Sequence, residues 1–423
     1  MQFEAIDNEF ASIDGVLHAR VGRRPKTVVL YTHPRAQSNL TAYPCPELAA
    51  AGVDVLAFNN RFTNSPAGSD LATVFEDFAL DVGAAVTHAR RLGYERVLLM
   101  GHSAGGPVMA FYQDVAENGS AAFERDAVLS GFTGFRTLDG APRNLPRADG
   151  LVLRSVTIGT AASFLIRLDG AVIDEATGEV DPALDVYDAR NGFDPRTRTA
   201  TYATDFLTRY YRAQAARMNR LVADAERRLR EIDAAQARFE DDDFVVIPRT
   251  RANPTTIDLG LAERSMAPAL TYPAGRVAAV RDVRPPNPEW PQNRNAAGAA
   301  VHRLRALLTY RLVRVDEDRF DPLATTAGAS GIDFASSASS TPPSLARIAV
   351  PVLIIQGTGD ESNSVKIPTA ELNRAAAASA DCSLVFVEGG MHSMKPVDPS
   401  FGDTRAIAVG AIADWIGARF PLD

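Results

Sequence analysis

Ser103 lies in Gly101-His102-Ser103-Ala104-Gly105, directly after the apolar run Val97 to Met100 and directly before a helix-like pattern. A serine hydroxyl is a poor nucleophile near neutral pH unless a base takes its proton, and that base needs an acid to orient it. A strand, a sharp turn and a helix supply the setting. The turn throws the hydroxyl out at the strand end, and glycines two positions either side leave room where side chains would collide. It also aims the Ala104 N–H at the same point. Ser103 is therefore the expected nucleophile and Ala104 one donor to an oxyanion.

Six histidines compete for the role of base: His18, His33, His88, His102, His302 and His392. His392 is the strongest, because Glu388-Gly389-Gly390-Met391-His392 follows the last strand-like run, where a loop returns over the sheet edge. His102 adjoins the serine on the turn itself and is expected to line the pocket, as is His33. His18 and His88 read as bland, and His302 as a residue of the insertion with access to substrate. For the acid, Asp360 ends Gln356-Gly357-Thr358-Gly359-Asp360, a strand end with two glycines that let the chain turn back; Glu361 is the fallback. A carboxylate there fixes the histidine tautomer and stabilises the imidazolium. The second oxyanion donor is expected from His33-Pro34-Arg35-Ala36. Proline has no N–H, so Arg35 is the expected donor.

These residues need a scaffold that brings strand ends to one edge. Strand-like runs at Thr27–Tyr31, Val53–Phe58, Val97–Met100 and Ala127–Ser130 alternate with helical patterns over 70–92 and 104–116. The rhythm resumes with a strand at 351–356, a helix over 367–378, a strand at 383–387 and a helix over 404–419 that buries Ile407, Ile412, Trp415 and Ile416. Such alternation predicts an α/β protein with a mostly parallel sheet and helices on both faces. Between about 132 and 345 the rhythm breaks. That segment holds many arginines, an acidic patch at 240–243, a proline cluster at 285–291 and a long amphipathic helix over 204–232. Its stripe (Leu207, Tyr211, Ala215, Met218, Val222, Ala225, Leu229, Ile232) is expected to pack on the rest of the chain, with a coiled-coil homodimer as the alternative. The expected organisation is a catalytic core of 1–131 and 346–423 interrupted by a cap or lid of 132–345, above the carboxyl edge of the strands where ligands bind.

With those residues in view the chain resembles the α/β-hydrolase superfamily. G-H-S-A-G is similar to its nucleophile elbow, Y-T-H-P-R to its oxyanion loop, and Q-G-T-G-D and G-G-M-H to its acid and histidine loops. The resemblance covers about 20–131 and 346–423 and leaves out the insertion. His33-Pro34 departs from the His-Gly that many members carry. Serine at the elbow argues against the epoxide-hydrolase and dehalogenase branches, whose nucleophile is an aspartate.

The resemblance implies a serine hydrolase that cleaves an ester, lactone or thioester of a small to medium organic molecule through an acyl-enzyme, with no cofactor and no metal. The alternatives are hydrolysis of a carbon–carbon bond beside a carbonyl, and a non-catalytic small-molecule-binding protein on the same scaffold. Composition narrows the field further. A net charge of -8 over 423 residues argues against general affinity for nucleic acid or anionic membranes. No basic-then-apolar leader and no membrane-spanning run is legible, and Cys45 and Cys382 suit a reducing cytoplasm or a single disulfide.

Overall fold

Side chains on successive strand residues point to opposite faces, and here both faces are apolar, so each strand must be covered twice. Val28, Leu30, Val97, Leu99, Leu151, Leu153 and Ile354 belong to one buried cluster; Val29, Tyr31, Leu98, Met100, Val152, Leu353 and Ile355 belong to another on the opposite face. The structure, a computed structural model, describes residues 1–6, 13–19, 26–34, 37–63, 73–238, 241–258, 260–261, 270–271, 277–278, 299–324, 329–360 and 379–422.

Eight strands form the central sheet: β1 (Gln2–Ile6), β2 (Ile13–His18), β3 (Thr27–Thr32), β4 (Asp54–Phe58), β5 (Arg96–His102), β6 (Gly150–Arg154), β7 (Val352–Gly357) and β8 (Cys382–Val387). Their order is β1-β2-β4-β3-β5-β6-β7-β8. β2 runs antiparallel to β1 and β4, and every other neighbouring pair is parallel. Helices α1 (Cys45–Ala50), α2 (Asp77–Arg91), α3 (Gly105–Asn118) and α4 (Glu124–Ser130) follow their strands. α2 and α3 contribute to the first apolar cluster and α1 to the second. The order reverses between β3 and β5, which leaves a crevice at their carboxyl ends. This is the α/β-hydrolase fold.

Three expectations change. Ala127–Ser130, read as a strand, is the end of α4: Glu124 and Asp126 favour a helix start there, and a left-handed Gly131 closes it. The sixth strand comes instead from Gly150–Arg154, so the sheet reaches into the stretch read as insertion. Between Arg154 and Val352 lie α5 (Thr160–Leu165), α6 (Thr204–Asp233) and α7 (Leu304–Tyr310). They share a third apolar cluster, drawn from residues 161–320. All eight residues of the predicted α6 stripe are buried in it. The closing helix, α8 (Thr404–Gly417), buries Ala408, Ile412, Trp415 and Ile416, while Ile407 is exposed. Position 407 lies five residues before 412, about 140° off the stripe that 408, 412, 415 and 416 share.

Arg35, Glu361, the proline cluster and the helix expected over 367–378 lie outside the described residues. Cys45 is buried and Cys382 half-buried, and the two form no disulfide. No helix among the described residues is long and apolar enough to cross a membrane.

Candidate active site

β5 runs out at His102, and the next residue turns hard. Ser103 has φ 53, a conformation that costs a non-glycine residue about 1–3 kcal/mol and persists only where its surroundings enforce it. The enforcement is visible. Ser103 N–H donates to the Arg154 carbonyl of the neighbouring strand (3.1 Å), and the Ser103 carbonyl accepts from Gly106 N–H (3.0 Å) and Thr157 N–H (3.3 Å). A Cβ on Gly101 would stand 2.5 Å from the Gly105 carbonyl, and one on Gly105 2.7 Å from that of Thr32. The two glycines therefore allow β5, α3 and the end of β3 to close around the serine. Ala104 opens α3, where backbone N–H groups have no acceptor within the helix.

The acid and histidine loops are stitched together by their backbones. Gly359 N–H donates to the Gly390 carbonyl (2.9 Å), Thr358 N–H to the Val387 carbonyl (3.0 Å), and Gly389 N–H to Thr358 Oγ1 (2.8 Å). His392 rides on a tight turn in which Met391 N–H donates to the Lys395 carbonyl (2.8 Å). Its Nδ1 lies 3.1 and 3.0 Å from the two carboxylate oxygens of Asp360. The Asp360 carboxylate is buried and also accepts from Gln356 Nε2 (2.8 Å). That second donor fixes the carboxylate plane. The imidazole of His392 stands 4.7 Å, centroid to centroid, from that of His102, the residue before Ser103.

His33 completes a row of three imidazoles, 5.8 Å beyond His102. Burial holds the pKa of His102 well below its ordinary value, and the charges of Arg154, His392 and His33 push the same way, so this ring stays neutral. His88 pairs with Glu4 (3.0 Å) and His18 with the Leu40 carbonyl (2.6 Å), both away from this edge.

Four supporting residues carry no signal legible in sequence. Asn39 and Asn60 are buried, and their amides donate to the His33 carbonyl (3.0 and 2.9 Å) and to Thr32 Oγ1 (3.4 and 3.1 Å). They pin the end of β3, from which the expected oxyanion loop departs. Arg154, buried beside His102, lies over the Tyr43 ring (5.0 Å). Arg405 lies over the same ring (4.4 Å) and donates to the Ser393 carbonyl (3.4 Å), bracing the turn that carries His392. A second strained serine, Ser155 (φ 44), follows β6 but is fully buried. Half-exposed Ser103 is the one of the two open to a ligand.

No protein-family model and no curated protein matches the sequence. Solved structures with a similar overall course of chain include a monoacylglycerol lipase from Paleococcus ferrophilus (14% identity, 96% of this chain and 98% of that one, TM-score 0.42). Others are the siderophore hydrolase EstB from Aspergillus fumigatus (12%, 96% and 94%, TM-score 0.43) and the esterase RhEst1 from Rhodococcus sp. ECU1013 (16%, 99% and 99%, TM-score 0.39). The fold assignment stands on the strand order given above.

Proposed function

We propose that this chain is a serine hydrolase that cleaves an ester, lactone or thioester of a small to medium organic molecule through an acyl-enzyme. The observation that carries the reading is the bond from His392 Nδ1 to the buried carboxylate of Asp360, with the imidazole standing beside the strained turn of Ser103. In this reading Nδ1 holds its proton toward Asp360, which leaves Nε2 as the base. Nε2 takes the Ser103 proton as Oγ attacks the acyl carbon, and the carbonyl oxygen becomes an oxyanion that accepts from Ala104 N–H. The carbon–oxygen or carbon–sulfur bond of the leaving group then breaks, and Nε2–H protonates the departing alcohol or thiol. Water repeats the sequence on the acyl-enzyme, returning Ser103 and releasing the acid. Arg35 N–H is the proposed second oxyanion donor.

The segment between β6 and β7, with its own apolar cluster, is proposed as a cap that closes over this edge and excludes water.

The test is turnover of p-nitrophenyl esters of increasing acyl length by the wild-type protein and by Ser103→Ala. The expected result is hydrolysis that falls about 10⁴-fold or more in the variant, with thermal stability kept because a half-exposed hydroxyl leaves no cavity. Equal turnover by the two proteins would refute the assignment.

A further inference from the structure

Arginines in the cap are, as a rule, matched to acids. Buried Arg217 lies 2.6 Å from Glu175, Arg249 2.5 Å from Asp169, Arg305 2.6 Å from Asp233 and Arg314 2.6 Å from Glu226. Arg251 and Arg311, like the exposed Arg198, Arg220 and Arg230, take part in no ion pair among the described residues. Arg311 is the more telling. It is only partly exposed, and its Nε is buried with no hydrogen-bond partner. Its guanidinium is held over the Tyr310 ring (4.3 Å), and that ring stacks on Phe75 of the core (5.6 Å). The cation is thus preorganised by the ring and meets no acid among the described residues.

Its position is fixed relative to the catalytic edge. The Tyr310 carbonyl accepts from Thr160 Oγ1 (2.8 Å) at the start of α5, the helix that follows β6. Just past the other end of α5, the Arg167 carbonyl accepts from Ala252 N–H (2.9 Å), which brings Arg251 alongside. Burial lowers the pKa of Arg167; Arg311 and then Arg251 lower it further, while Asp360 opposes them. Thr157, three residues before Thr160, donates its N–H to the Ser103 carbonyl (3.3 Å), so the segment that holds Arg311 is tied to the serine turn, while the Asp360 carboxylate is already committed to His392. His302 adds no charge, since burial and then Arg311 push its pKa down to about 3.

We infer that Arg311, assisted by Arg251, binds a carboxylate carried by the substrate, so that the preferred substrate is an ester with a free acid group a short chain away from the scissile carbonyl. The inference rests on the hydrolase reading above. A guanidinium presents its N–H groups as a planar fork that fits a carboxylate, and this local positive field stands out in a chain of net charge -8.

Mono-p-nitrophenyl glutarate and its neutral methyl ester share reacting carbonyl and leaving group, so their kcat/KM ratio isolates the charge. The wild-type enzyme is expected to favour the anionic ester about 10- to 100-fold, the size of a charged hydrogen bond, chiefly through KM. Arg311→Gln brings the ratio toward one, Arg251→Gln lowers it less, and Arg311→Lys retains part of it. A wild-type ratio near one, or an Arg311→Gln variant that slows both esters by the same factor, overturns the inference. Calorimetric titration of monomethyl glutarate into Ser103→Ala separates the two claims. Binding that disappears on adding Arg311→Gln supports the anion site even where neither ester turns over, an outcome that would count against the hydrolase reading alone; absence of binding counts against the site.

Discussion

The serine turn and the segment proposed as a cap both hold polar groups out of water, and they do so by opposite means. At the turn the backbone does the holding: Ser103 is forced to positive φ by bonds to Arg154, Gly106 and Thr157, and two glycines let three elements close within a few ångströms. The cap depends instead on side-chain charge pairs between distant residues, such as Arg217 with Glu175 and Arg249 with Asp169. A backbone cage keeps one reactive atom within tight limits. A network of ion pairs between a long helix and loops tolerates small shifts, because long side chains can follow one another. The difference suits the proposed roles, a fixed catalytic edge beneath a cap that opens and closes.

If this contrast is correct, perturbations at the catalytic edge register in rate and those in the cap register in stability. The largest effect is expected for Asp360→Asn. It preserves shape but leaves the His392 tautomer mis-set, so kcat should fall about 10³- to 10⁴-fold with KM nearly kept. Steady-state kinetics on one ester checks this, and a fall in stability without a fall in kcat would blur the contrast.

Next comes the seam between core and cap. Glu76, just before α2, is fully buried and accepts from Ser130 Oγ (3.2 Å), while Phe75 N–H donates to Thr309 Oγ1 of α7 (3.3 Å). Burial above all raises the pKa of Glu76 from its ordinary 4.5 to about 8. A folded-state pKa above the unfolded value means that the folded form binds the proton more tightly. This contribution is fully present below about pH 4.5 and is lost as pH rises to about 8, by at most about 5 kcal/mol. Glu76→Gln should therefore stabilise the protein more at pH 8 than at pH 5, read from denaturant midpoints at the two pH values.

Gly105→Ala tests the cage itself. The new Cβ would press on the Thr32 carbonyl at 2.7 Å, and displacing that backbone should cost about 1–3 kcal/mol together with a loss of rate. The smallest effect is expected in the cap. Glu175→Gln leaves the Arg217 cation facing a neutral amide, and because Glu175 is itself 37% exposed the cost should be about 1 kcal/mol. Arg217 keeps its bonds to the Asp169 and Pro248 carbonyls in that variant. Calorimetric unfolding of both variants orders the pair.

How much of this was legible beforehand follows the same division. Ser103, its glycines and the strand before it lie within eleven residues, so composition and spacing carry the turn. The Asp360 and His392 loops are legible because each follows an apolar strand and contains paired glycines. The sixth strand was missed because Gly150–Arg154 is short and ends in an arginine that is buried in the fold. Ala127–Ser130 misled because four residues alternate as well in a helix end as in a strand. Asn39 and Asn60 were invisible for a different reason: an asparagine in a loop gives no sign that its amide will meet the His33 carbonyl. The cap arginines show the same limit, since pairing across 42 to 88 residues leaves no local pattern.

The central claim is tested most directly by mass spectrometry of the folded protein after reaction with a fluorophosphonate. The account predicts one adduct, mapped to Ser103, absent in Ser103→Ala and strongly slowed in His392→Ala. An adduct mapped to Ser155 or to another serine, or no adduct in protein shown to be folded, would contradict it.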